Sequence, residues 1–178
     1  MAAPDLVILV DETGAAVGTA DKSIVHSEQT PLHRAFSCHL YDEQCRFLMT
    51  RRALSKVTWP GVWTNAFCGH PRPGETDQEA IIRRAHEELG TQVRDIRPIL
   101  PNFRYRAVDD SGIVENEICP VYSAVLVGEL DVNPDEVASV QWSQREDVAA
   151  SAMTTPWALS PWLVQQLEEL AGAPGGSS

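Results

Sequence analysis

The sequence predicts an α/β sandwich folded as one domain, and three observations carry that expectation. Apolar or alternating runs of strand length recur along most of the chain, three stretches carry helix-start signals, and no segment repeats another. In order, residues 7–10 form the first apolar run and read as a strand. Residues 21–34 are polar and read as a functional loop. Residues 35–41 and 46–50 follow as strands, residues 51–61 as a second, Pro/Gly-containing loop, and residues 62–68 as a further strand. Thr76-Asp77-Gln78-Glu79 is a capping box, in which the hydroxyl and the carboxylate each satisfy an amide that the first helical turn leaves free. The helix it opens runs to Leu89 and stops at Gly90, with Ile82, Ala85 and Leu89 expected to face the core. Residues 103–108 and 113–127 read as strands, the second interrupted at Pro120, which has no amide to give a ladder. Ser143-Gln144-Arg145-Glu146 reads as a second capping box, and Ser160-Pro161 sets a capping hydroxyl before a proline at the first helical position. Residues 172–178 hold only Gly, Ser, Pro and Ala and are expected to form a disordered tail after a single domain of residues 1–171.

The chain of 178 residues has room for one ordinary domain but not two. Its net charge of −11 and pI near 4.8 repel phosphate backbones and acidic headgroups at long range, so neither nucleic acid nor a membrane surface is expected as a partner. Any phosphate must then be met by a local group of Lys, Arg or metal. No signal peptide is visible, because the one early apolar run is flanked by Asp5 and Asp11, and no run approaches the roughly 20 apolar residues of a membrane span. A cytoplasmic monomer acting on a small molecule is expected, with Cys38, Cys45, Cys68 and Cys119 as free thiols.

From Gly69 the chain reads G-x5-E-x7-R, with Glu75 and Arg83 in the fixed places, and continues Arg84-Ala85-His86-Glu87-Glu88-Leu89-Gly90. This resembles the Nudix box, a loop and helix that present carboxylates to Mg²⁺ and through it to a diphosphate. The resemblance implies a Nudix-like α/β/α sandwich with a mixed β-sheet, and Mg²⁺ held at Glu88. An ordinary amphipathic helix with its charges in solvent would account for the same residues, and an Arg84–Glu88 pair at i,i+4 is compatible with either. Nudix hydrolases carry Glu where this chain has Arg84. The exchange weakens metal-assisted attack by water and favours binding of a diphosphate.

Cys68 precedes the box glycine and His70 follows it, while Glu115 and Glu117 stand two apart in a later strand and so share one face. Two like charges held close need a cation or a shared proton. His26, His33 and His70 with the two carboxylates make an N/O set suited to a divalent transition metal. With Trp59-Pro60-Gly61-Val62-Trp63, these motifs resemble the metal-dependent, flavin-free isopentenyl diphosphate isomerases over about residues 21–162.

The resemblance implies a metal site of His26, His33, His70, Glu115 and Glu117, holding Mn²⁺ or Zn²⁺. It assigns proton transfer to Cys68 and Glu117, with Tyr105 hydrogen-bonding into that apparatus. It puts Trp162 over the isoprene unit, where a ring face can stabilise a carbocation, and Lys22, Arg52, Lys56 and Arg84 on the diphosphate. His39 and His86 match no ligand position and read as structural. Trp59, Trp63 and Trp157 read as packing or loop anchors. A Nudix hydrolase is the alternative enzyme, and a non-catalytic Nudix domain the alternative binding module.

Overall fold

The computed structural model describes residues 5–172. The tail expected over 172–178 lies outside them except for Gly172, which ends the last helix. The strands are β1 (Leu6–Val10), β2 (Ala16–Asp21), β3 (His33–Arg34), β4 (Phe36–Tyr41), β5 (Phe47–Arg52), β6 (Trp63–Thr64) and β7 (Phe67–Gly69). After α1 (Asp77–Leu89) come β8 (Gln92–Leu100), β9 (Arg104–Val108), β10 (Val114–Ile118), β11 (Val121–Val127) and β12 (Val137–Ser143). Helix α2 (Arg145–Thr154), a 3-10 turn (Pro156–Ala158) and α3 (Pro161–Gly172) close the chain.

Two mixed sheets result. One runs β2-β1-β3-β10-β9, the other β12-β5-β4-β11-β8, with β6 beside β5 and β7 beside β4. The pairs β3–β10 and β4–β11 are parallel and the others antiparallel. Both β3–β4 and β10–β11 pass from the first sheet into the second, the latter at Pro120. The two sheets therefore part along a line where His33 lies opposite Glu117 and Phe36 opposite Gly69.

Strand alternation sorts the second sheet's two faces. Phe36, Cys38, Leu40 and Leu48 pack with Ala80, Ile81, Ala85 and Leu89 of α1. Phe47, Met49 and Val121 pack with Val148 and Ala152 of α2 and with Trp162, Leu163 and Leu167 of α3. Helices on both faces of a mixed sheet give the α/β/α sandwich that the resemblance implies.

The Thr76–Glu79 capping box forms in both directions, and Gly90 caps α1 at φ 60°, the left-handed region where a side chain would be strained. The core-facing residue of α1 is Ile81, not Ile82, which is 52 % exposed. Arg84 and Glu88 lie on the buried side with it, so the box turns two charges inward. The second expected box does not form. Ser143 is the last residue of β12, and α2 starts after Gln144 with no side-chain cap. Ser160 does cap α3, its Oγ accepting from the Leu163 amide at 3.3 Å.

Four strands went unread in the sequence: β3, two residues long and central in its sheet, lies inside the expected 21–34 loop, and β2, β8 and β12 are sheet edges. An edge strand with one neighbour tolerates polar residues, proline and bulges. Accordingly β2 is almost wholly exposed, and β8 carries Pro98 and a bulge near Asp95, whose φ is 54°. The run 62–68 is two short strands rather than one, parted at Asn65 and Ala66.

Candidate active site

Where the sheets part, a cavity of about 260 Å³ opens, lined from both sheets, from α1 and from Trp162 of α3. At one end His26, His33, His70 and Glu117 bring four ligand atoms within 4.8 Å of one another. Backbone pairing accounts for this convergence. The β3–β10 register sets His33 beside Glu117, and β7 on β4 delivers His70 to the same point. Glu117 Oε1 lies 3.3 Å from His33 Nε2 and 3.1 Å from His70 Nε2. His33 Nδ1 is 2.9 Å from the Pro31 carbonyl, which can only accept. That nitrogen therefore carries the proton, and Nε2 faces the cluster. His26 Nε2 and His70 Nδ1 are buried with no hydrogen-bond partner, a costly arrangement for polar nitrogens. Three imidazoles and a carboxylate with orphaned ring nitrogens suit a divalent transition metal.

Glu115 lies next to this group but outside it. Its carboxylate accepts from Thr58 Oγ1 at 2.9 Å and from the Tyr105 hydroxyl. Burial and the charge of Glu117 raise its pKa. Burial also pushes Glu117 upward, but the close approach of His33 and His70, whose rings favour an ionised neighbour, outweighs it and holds that carboxyl well below the usual range. The pair divides as two close carboxylates should, one ionised and one keeping its proton more tightly.

Cys68 sits on β7 in the same cavity, and burial pushes its thiol up to about 12 against weaker opposition from Ser37 and Asn65. It holds its proton at neutral pH. Gly69 next to it is required by close approach, since a Cβ there would meet Arg84 Cγ at 2.8 Å and Phe36 Cζ at 2.9 Å. Behind the thiol stands Asn65, completely buried, which no sequence signal marked. Its Nδ2, with two hydrogens to give, lies 2.9–3.0 Å from Ser37 Oγ and from the Cys38 and Phe67 carbonyls, and 3.5 Å from Cys68 Sγ. Its Oδ1 accepts from Trp162 Nε1 at 3.1 Å and Thr64 Oγ1 at 3.0 Å. One amide thus holds both the thiol and the indole. Trp162 is further wedged by Trp59, edge-on at 5.4 Å, and Trp59 itself has φ 44°, a strained value that fixes its loop.

Four cations also line the cavity, Lys22, Arg52, Lys56 and Arg84, together with Glu88 and Glu136. Lys56 and Arg84 gather with these two carboxylates at its basic end, while the charge of Lys22 bears on His26 and His70 and that of Arg52 on Glu115. Arg52 donates to the Thr58 carbonyl at 2.8 Å and lies 5.5 Å from the Trp162 ring centre. Lys22 pairs with Asp5 at 3.2 Å. Arg84 Nε donates to Glu88 Oε1 at 3.0 Å. Arg83, the fixed arginine of the box, grips Glu75 with two bonds of 2.7 and 2.8 Å and donates to the His70 carbonyl, tying the box loop to the histidine end. Glu88 presents a carboxylate, the kind of hard oxygen donor that could hold Mg²⁺. Sequence reasoning missed Asn65, Thr58, Ser37 and Glu136. His39, read as structural, is buried with its Nε2 2.9 Å from Gln166 Oε1, and His86 lies exposed in the last turn of α1.

Residues 31–163 match the NUDIX domain family. Proteins named isopentenyl-diphosphate Delta-isomerase from Leifsonia xyli subsp. xyli and Agromyces mediolanus are 58% and 55% identical to the chain. They span 95% and 93% of it, and 92% and 81% of their own lengths. One from Salmonella heidelberg is 52% identical over 92% of the chain and 90% of its own length. Among solved structures, a Deinococcus radiodurans protein is similar with a TM-score of 0.72 at 21% identity, over 93% of this chain and 98% of that one. A MutT protein from Methanosarcina mazei Go1 reaches 0.60 at 18%, over 80% and 94%. At such identities the structural likeness speaks for the fold alone.

Proposed function

The chain belongs to the NUDIX domain family and, within it, to the isopentenyl-diphosphate Delta-isomerases, and on that premise we propose how its own residues interconvert isopentenyl and dimethylallyl diphosphate. The carrying observation is the pairing, in one buried cavity, of a thiol that holds its proton and a carboxylate that has lost its own. An allylic shift needs one group that gives a proton and another that takes one, and Cys68 and Glu117 come from different sheets to meet that need. Trp162 and Tyr105 supply aromatic walls for the cationic hydrocarbon, and the Tyr105 hydroxyl holds Glu115 in place. The four basic side chains bind the diphosphate and orient the alkene toward the thiol.

Glu88 is the residue we assign to Mg²⁺ at the diphosphate. His26, His33, His70 and Glu117 are assigned to a second divalent ion, Mn²⁺ or Zn²⁺, which Glu115, held outside the group by Thr58 and Tyr105, would have to turn toward to join. When bound, that ion supplies positive charge that tunes the acidity of the glutamates it touches. Donor chemistry supports both assignments, oxygen for the first and imidazole with carboxylate for the second. In this reading a single domain of residues 1–171 carries the activity as a cytoplasmic monomer. Four free cysteines support a reducing compartment, and the charge of −11 supports a small substrate over an anionic polymer. Among the described residues, no helix is long and apolar enough to cross a membrane.

The test is an incubation with isopentenyl diphosphate and divalent metal in D₂O. Dimethylallyl diphosphate carrying deuterium on carbon is expected, with no enzyme-dependent release of phosphate. Phosphate release without label in carbon would overturn the reading.

A further inference from the structure

Glu136 belongs to the loop between β11 and β12 and carries a charge that the proposed reaction does not use. The loop is firmly held. The Asp131 and Asn133 amides donate to the Leu89 and Glu88 carbonyls at 2.8 and 2.9 Å, so it hangs from the end of α1. The Ala53 amide donates to the Glu136 carbonyl at 3.0 Å, tying the same residue to the segment that carries Arg52 and Lys56. Its carboxylate therefore has a fixed place, between Lys56 Nζ, which it pairs directly, and Arg84 Nη2 at 3.4 Å. Those are two of the four cations assigned to the diphosphate. The side chains of Arg84 and Glu136 are only 10% and 21% exposed, so this is not a pair dissolved in bulk water. Glu88 holds Arg84 from the other side. The basic end of the cavity thus arrives with its own counter-anions.

We propose that Glu136 makes diphosphate binding conditional on a divalent cation. A bare diphosphate must displace a carboxylate already fixed on Lys56 and Arg84, with like charges brought together as it does so. A diphosphate accompanied by Mg²⁺ brings a cation that Glu136 and Glu88 can face in exchange for the two side chains they release. Mg²⁺ commonly takes one or two carboxylates alongside phosphate oxygens, and these are the two acidic side chains at this end of the cavity. The inference rests on the diphosphate assignment made above. It adds that the cation requirement is built into the binding step by a residue outside the box.

Titration calorimetry with inorganic diphosphate tests it, on the wild type and on Glu136→Gln and Glu136→Ala, each in EDTA and in excess Mg²⁺. Complexation of diphosphate by Mg²⁺ in solution is common to all three proteins and cancels in the ratios. Either variant should bind diphosphate about tenfold more tightly than wild type in EDTA, and the strengthening by Mg²⁺ should shrink by at least that factor. Binding in EDTA no tighter than wild type, in variants whose thermal melts show them folded, would overturn the proposal. So would an unchanged Mg²⁺ effect. Two substitutions of different size keep the result from depending on one that fails to fold, and the loop's main-chain bonds survive both. Lys56→Gln separates the two layers of argument. If it leaves diphosphate binding unchanged with Mg²⁺ present, the clamp assignment itself fails. If it weakens binding while the Glu136 variants do nothing, only the conditional role falls.

Discussion

The two ends of the cavity are built from opposite materials. At the histidine end, His33, Glu117, Cys68 and Tyr105 stand on strands, and ladder pairing sets their spacing to within a residue. At the cationic end, Lys56, Arg84 and Glu136 reach in on long or loop-borne side chains, and each already has a partner of opposite charge. The first end leaves polar nitrogens unpartnered, while the second is neutralised within the chain. Groups that exchange protons with carbon must be placed before the substrate arrives, because a misplacement of 1 Å can cost a hundredfold in rate. Groups that bind an anion can be moved by it. Substitutions at the first end should therefore act on kcat, and at the second on KM.

The largest effect expected is on turnover. Cys68→Ala and Glu117→Gln should each reduce kcat by roughly 10²- to 10⁴-fold or more with KM little changed. Arg52→Gln and Lys22→Gln should chiefly raise KM. Steady-state kinetics on isopentenyl diphosphate read the split, and a Cys68→Ala enzyme with normal kcat would break the comparison at its first step. Next comes metal content. Purified protein should retain about one transition-metal ion per chain, and His33→Ala or His70→Ala should lose it, because each removes one member of a closely grouped donor set. Arg84→Gln should keep it. Elemental analysis finding equal metal in all three variants would dissolve the distinction between the two ends.

A smaller effect is expected from Asn65, which touches neither metal nor diphosphate in this reading but ties the thiol to the indole. Asn65→Asp keeps the shape and Oδ1 while removing the Nδ2 donors. It should lower kcat by about 10- to 100-fold with KM preserved, and cost about 1–3 kcal/mol for each buried carbonyl left unpaired. Trp162→Phe, which removes the indole N–H bonded to Asn65 along with part of the ring's volume and keeps a ring face, should reproduce part of the kcat loss. A parallel rise in KM for Asn65→Asp would show general loosening of the pocket instead of positioning.

How much could be read in advance divides along similar lines. Cys68, His70, Glu88 and Glu117 lie in short motifs whose spacing survives in one dimension, and the structure brings them to one cavity. The mixture of strands and helices was legible because the central strands carry apolar runs and α1 has caps at both ends, while the α/β/α layering followed from the resemblance of the box. The edge strands β2, β8 and β12 were not, since half their hydrogen-bonding capacity faces away from the sheet and their composition reads as loop. Asn65 and Glu136 were hidden for a different reason. Their partners lie 97 residues away at Trp162 and 80 away at Lys56, and no local pattern distinguishes a buried amide or a paired carboxylate from an exposed one. Glu115 shows the limit from the other side. A period of two places it on the face of Glu117, but whether its oxygens meet histidines or Tyr105 and Thr58 depends on neighbouring strands.

The smallest effect concerns the one buried histidine with no part in either end. His39 stands on β4 behind the thiol, its Nε2 on Gln166 Oε1 and its Nδ1 without a partner. Burial lowers its pKa from 6.5 to about 4, against the opposing hydrogen bond from Gln166. A base whose folded pKa lies below its unfolded value binds fewer protons when folded, so acid favours the unfolded chain. The contribution is neutral well above pH 6.5, and stability is lost as the pH falls from 6.5 toward 4. Between pH 7 and pH 5 the loss should be about 2 kcal/mol. His39→Gln carries no proton in this range and keeps a donor for Gln166, so its urea stability should fall less over that interval, by about the same 2 kcal/mol. Comparison with wild type then measures the acid sensitivity of the fold apart from that of the histidine cluster, whose protons compete with any metal it holds. If both proteins lost equal stability between pH 7 and pH 5, the acid liability would lie in the histidine cluster and not behind it.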